Sequence, residues 1–84
     1  MASSLYSSRY LWLRSQLVQA RKARGLTQAA VGRWLGVGQP QISKMERGEA
    51  FIDVLTFVEW CRCVGLDPAA VLASLPAPVE DGVP

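Results

Sequence analysis

The spacing of small and apolar residues between positions 28 and 47 leaves this chain few folds to choose from. Val31 and Leu35 stand at i, i+4 on one face of a helix, and Ile42 and Met45 stand at i, i+3 on one face of another. Gly32 supplies the small residue that two short helices need where they cross closely. Gly36 falls just past the end of the first helix, where a left-handed backbone is cheap only for glycine, and Val37 is placed to plug the turn. The pattern predicts one helix over 28–35 and another over about 39–47, sharing one core. It leaves Gln39, Gln41, Ser43, Lys44 and Arg47 as a polar face on the second helix.

The rest of the chain also reads as helix, so the expected fold is all-α with five helices. Tyr10, Leu13, Leu17 and Ala20 form a stripe that predicts a first helix from about Ser8 to Arg24, ended by Gly25. Thr27 caps the second helix through its hydroxyl, Gly38 caps the third, and Pro40 fits the third helix's first turn because no intrahelical bond needs its missing N–H. Gly48 closes that helix. Asp53 caps a fourth helix whose Val54, Leu55, Phe57, Val58, Trp60, Cys61 and Val64 are apolar around much of the circumference, which implies a second buried face. Asp67 and Pro68 start a fifth helix, 68–75. The domain is expected over 9–75, with 1–8 an N-terminal extension and 76–84, with its three prolines, a flexible C-terminal tail.

Charge is segregated along the chain. Eight of the nine basic residues (Arg9, Arg14, Arg21, Lys22, Arg24, Arg33, Lys44 and Arg47) lie in 9–48 with only Glu46 against them, whereas six of the seven acidic residues lie in 49–84. A polyanion would be drawn to one end of such a molecule and repelled from the other, which orients docking as well as strengthening it. No apolar run approaches the roughly 20 residues of a membrane helix, and the N-terminus lacks a charged segment followed by an apolar one. A cytoplasmic, nucleoid-associated protein with no membrane partner is expected.

Catalysis finds little support, since the chain has no histidine, no nucleophile motif and no glycine-rich phosphate loop. Cys61 and Cys63 are the only thiols. Two positions apart on a helix they point about 200° apart, so they cannot chelate one ion together or pair with each other, and packing is their expected role. No metal and no cofactor is expected. Trp12, Trp34 and Trp60 could stack on bases, although tryptophan at helical spacing more often serves core or interface.

Two short helices with a tight turn and a polar second helix form a helix-turn-helix, which lays its second helix in the DNA major groove. Gly25-Leu26-Thr27-Gln28, that unit, Glu46-Arg47-Gly48-Glu49, Ile52-Asp53-Val54 with Phe57, and Leu66-Asp67-Pro68 together resemble the lambda-repressor-like (Cro/repressor, XRE) family over roughly residues 13–75. The resemblance implies base contacts from Gln39, Pro40, Gln41 and Lys44. It implies phosphate contacts from Thr27, Gln28, Arg33, Ser43 and Arg47, and an internal ion pair between Arg21 and Glu46. The chain departs from many relatives after Gly48, where Glu49-Ala50-Phe51 replaces basic residues that reach the DNA backbone.

The expected function is sequence-specific binding of double-stranded DNA at a palindromic operator by a homodimer, acting as a transcriptional repressor. Two recognition helices would then enter successive major grooves about 34 Å apart. The large apolar residues Tyr10, Trp12, Phe51, Phe57 and Trp60 are the expected dimer surface, and Leu5 and Tyr6 of the extension also need cover. The alternative is an antitoxin or interaction module that neutralises a partner toxin and regulates its own operon.

Overall fold

A computed structural model describes residues 7–77; the expectations for Leu5, Tyr6 and the tail beyond Ala77 lie outside the described residues. Five helices follow one another: α1 (Ser8–Ala23), α2 (Gln28–Leu35), α3 (Gln39–Glu46), α4 (Val54–Val64) and α5 (Pro68–Ala73). Among the described residues there is no strand. α2 begins and ends where the spacing places it, because its ends are written locally. The Thr27 hydroxyl accepts from the Ala30 N–H at 3.0 Å, and Gly36 leaves the helix at φ 74°. Asp53 and Asp67 cap α4 and α5 in the same way, accepting from Thr56 N and Ala69 N. α5 stops two residues short of the expected Leu75, with the Ser74 N–H turning back onto the carbonyls of Ala70 and Val71.

The core gathers one face of every helix: Leu17 of α1, Val31 of α2, Ile42 and Met45 of α3, Phe57, Trp60, Cys61 and Val64 of α4, and Val71 of α5. Leu35 is half-buried against this core rather than within it. The predicted plug at Val37 is a side chain 40% exposed. What fills the turn is its backbone. The Val37 carbonyl oxygen lies 2.7 Å from where a Cβ on Gly32 would stand, and the Val37 N–H donates to the Gly32 carbonyl at 2.9 Å. Gly32 therefore admits the turn itself, as well as Ile42, whose Cγ1 would lie 3.5 Å from the same Cβ.

α4 overturns part of the dimer expectation. Trp60 is fully buried and Phe57 is 4% exposed, so both belong to the core of their own chain and neither can face a second one. The helix is apolar on more than one face, and the structure chooses 57, 60, 61 and 64 for burial while Val54 and Leu55 remain 74% and 79% exposed. Trp12 is half-buried against the core. Tyr10 is likewise used internally: its hydroxyl donates to the Ala50 carbonyl and accepts from the Ile52 N–H at 3.1 Å, tying α1 to the connection between α3 and α4. Its ring meets Phe51 edge-on, with centroids 5.3 Å apart.

Candidate nucleic-acid interface

α3 carries the polar face that the spacing predicts. Ile42 and Met45 point into the core, while Gln39, Pro40, Gln41 and Lys44 are exposed and Ser43 is half-buried. Pro40 sits in the first turn, and Gly38 caps the helix without a side-chain bond. A helix of eight residues held from beneath by two buried side chains presents its outer residues at fixed positions, which reading base edges requires.

A continuous chain of hydrogen bonds runs from the interior to the start of that face. Arg21 on α1 grips Glu46 with a fork of two bonds, Nε to Oε2 at 2.6 Å and Nη2 to Oε1 at 2.9 Å, and Arg21 Nη1 also donates to the Leu26 carbonyl. The two side chains are 11% and 7% exposed, so this is the internal ion pair the resemblance implies. From the same carboxylate the chain continues outward. Gln28 Nε2 donates to Glu46 Oε1 at 2.9 Å, and Gln39 Nε2 donates to Gln28 Oε1 at 2.6 Å. Gln28, expected at a phosphate, is thereby the link between the buried pair and the first outward residue of α3.

The basic residues are deployed differently from what their clustering in 9–48 suggests. Arg14 donates to the Glu46 carbonyl, Arg24 to the Val64 carbonyl at 3.0 Å and Arg9 to the Pro76 carbonyl at 2.9 Å, so the first two close the ends of α3 and α4 and the third ties α1 to the segment after α5. Gly48, at φ 80°, lies directly under the Arg14 guanidinium, where a Cβ would collide with it. Arg47 is held by Glu49 through two bonds, at 2.8 and 3.0 Å, and also donates to the Ser43 hydroxyl. The hydrogen bond and charge of Arg47 hold the Glu49 carboxyl below its usual range. Both Ser43 and Arg47, expected at phosphates, thus have internal partners in the free protein. Among the described residues, Arg33 and Lys44 are exposed and without an ion-pair partner.

The thiols are packing groups. Burial pushes the Cys61 thiol up to about 11, so it stays protonated at neutral pH, and burial raises Cys63 as well. Among the described residues no group of His, Cys, Asp or Glu side chains could hold a metal ion, and no helix is long and apolar enough to cross a membrane. Sequence reasoning missed Val54 and Leu55 as the exposed apolar residues of α4. It also missed Glu49 as the partner of Arg47, although an acidic residue two positions beyond an arginine that ends a helix is a readable signal.

A family model described as a helix-turn-helix domain matches residues 12–74, which takes in Arg21, Gln28, Gln39 and Glu46 together with all of α2 to α5. Among solved structures, an XRE-family like protein from Pseudomonas syringae pv. tomato is similar, at 41% identity over 81% of this chain and 83% of that one, with a TM-score of 0.76. No curated protein matches the chain. Sequence match, shared fold and an outward polar α3 agree: the chain belongs to the XRE-like helix-turn-helix family of DNA-binding regulators.

Proposed function

We propose that the protein is a cytoplasmic transcriptional repressor that binds a palindromic operator as a homodimer. The observation that carries this reading is the outer face of α3, where Gln39, Pro40, Gln41 and Lys44 are exposed over a helix anchored by Ile42 and Met45. A glutamine amide can pair with adenine N6 and N7, and a lysine with guanine O6 and N7. Arg33 has the exposure to reach phosphate, and Thr27 stands at the N-terminal end of α2, where backbone N–H groups attract anions. The protein acts by occupying DNA rather than by catalysis, so blocking polymerase is the simplest output.

Dimerisation is supported by the apolar residues left outside the core in the connection after α3 and at the start of α4. Phe51, Val54 and Leu55 are 53%, 74% and 79% exposed and follow α3 within one short connection. A second copy meeting these residues about a two-fold axis would give one recognition helix for each half-site of a palindrome, with half-sites about 34 Å apart. The same residues also suit a partner protein, which is the antitoxin reading. Selection of duplexes from random DNA, with sedimentation of the free protein, tests the proposal. A palindromic consensus and a dimer at micromolar concentration are expected; a chain that is monomeric and selects no sequence overturns it.

A further inference from the structure

We infer that Glu46, buried in the ion pair with Arg21, is a positioning residue for base recognition: it fixes which way round the amide of Gln39 faces the DNA. The inference rests on the proposed reading of α3 as the base-reading helix, and it assigns to Glu46 a part beyond holding helices together.

The argument is one of donors and acceptors. A carboxylate only accepts, so Gln28, lying 2.9 Å from Glu46 Oε1, must turn its NH2 group inward. Its carbonyl oxygen then has to face outward, towards Gln39. Gln39, 2.6 Å away, can bond that oxygen only through its own NH2 group. The polarity set at Glu46 therefore passes through two amides without a free choice at either. Arg21 holds the origin of the chain in place with two further bonds to the same carboxylate.

What Gln39 has left for a partner is its Oε1 and its second N–H, one acceptor and one donor side by side. Adenine shows the complement in the major groove, an N6 donor next to the N7 acceptor, whereas guanine shows two acceptors, O6 and N7. With the amide fixed this way, guanine would place its O6 against the Gln39 oxygen. A freely rotating glutamine would carry no such penalty built into its starting geometry, and it would lose more side-chain freedom on binding. Glu46 thus contributes to discrimination from within the fold, at a base it never approaches.

Two variants test this with the full-length chain and the selected operator. Gln28→Met removes both amide bonds at a half-buried position without changing charge; it should lower the preference for adenine at the base opposite Gln39 about tenfold and leave preferences at other positions unchanged. Glu46→Gln replaces an obligate acceptor by a group that can also donate, so both polarities become available and the preference should relax towards guanine at that position alone. If either variant keeps the adenine preference and only weakens binding equally at every base, the inference is overturned. Should Glu46→Gln prove too unstable, the double variant Arg21→Met/Glu46→Met, which leaves no buried charge unpaired, takes its place: a relaxed adenine preference supports the inference and an unchanged one overturns it. Nuclear magnetic resonance of the free protein gives an arm that needs no DNA. The Gln39 side-chain N–H signals should exchange slowly in the wild type and at the rate of an exposed amide in Gln28→Met; fast exchange in both refutes the fixed polarity. Failure of any duplex to be selected refutes instead the proposed reading of α3.

Discussion

Glu49 grips Arg47 with both carboxylate oxygens, at 2.8 and 3.0 Å, immediately after the recognition helix ends. The carboxylate offers Arg47 the two acceptor oxygens that a DNA phosphate would offer. Binding phosphate through Arg47 therefore requires Glu49 to let go, and the negative charge of Glu49 repels the backbone meanwhile. Glu49→Gln should raise affinity for non-specific duplex several-fold and steepen the dependence of log affinity on log salt by about 0.9 for one added phosphate contact. Anisotropy titrations at three salt concentrations check this; an unchanged slope means Arg47 stays away from phosphate.

Gly32 tolerates no side chain without moving the turn. A Cβ there would lie 2.7 Å from the Val37 carbonyl oxygen, which is backbone and cannot rotate aside. Gly32→Ala gains up to about 1 kcal/mol of helix propensity. It should nevertheless destabilise the domain by about 1–3 kcal/mol net, the range of overpacking a close-packed site. Urea unfolding measures the difference. A stabilised variant would show that the turn shifts freely.

Arg21 and Glu46 should behave as a coupled pair, since each is nearly inaccessible to water at the side chain. Removing Arg21 alone leaves a buried carboxylate and is expected to cost about 3–5 kcal/mol, while replacing both with apolar residues should cost much less than the two single changes added together. A double-mutant cycle on urea unfolding reads the coupling directly. A coupling energy near zero would mean that water reaches the pair.

Leu55 is 79% exposed, so Leu55→Glu should leave the stability of a monomer unchanged. In a dimer built on Phe51, Val54 and Leu55 it places two like charges across the axis. Sedimentation should shift from dimer to monomer, and affinity for a palindromic site should fall while affinity for an isolated half-site does not. A variant that remains dimeric moves the interface elsewhere.

Alkaline pH should weaken the fold through Cys61. Burial raises its thiol to about 11, above an unfolded value of about 8.5, so the neutral thiol is the form that the native state keeps. The contribution is fully present below about pH 8.5 and is lost as pH rises from there towards 11. Urea midpoints measured between pH 7 and 11 should fall over that window and fall less in Cys61→Ala. Equal slopes would assign the loss to other groups.

Local chemistry determined most of the architecture in advance. Thr27, Asp53 and Asp67 each accept from an N–H within three residues, and the period of Val31, Ile42 and Met45 selects one buried face. Those interactions span a single turn, so they can be read without knowing where any other helix lies. The outward face of α3 follows from the same period, which is why Gln39, Gln41 and Lys44 emerged as the exposed residues.

Tertiary structure decided what periodicity leaves degenerate. α4 is apolar on more than one face, and only the positions of its neighbours selected Phe57 and Trp60 for the core and left Val54 and Leu55 in water. The arginines were settled the same way. Arg14 and Arg24 end on carbonyls 32 and 40 residues away, contacts that formal charge along the chain cannot reveal. The link from Arg21 through Glu46 and Gln28 to Gln39 joins three helices, so it exists only once they have packed. The sequence by itself determined the helices and the inward face of α3, because caps and periods act within a few residues; the fold decided which face of α4 is buried, which polar groups are consumed internally and which stay exposed, because those partners meet only across helices.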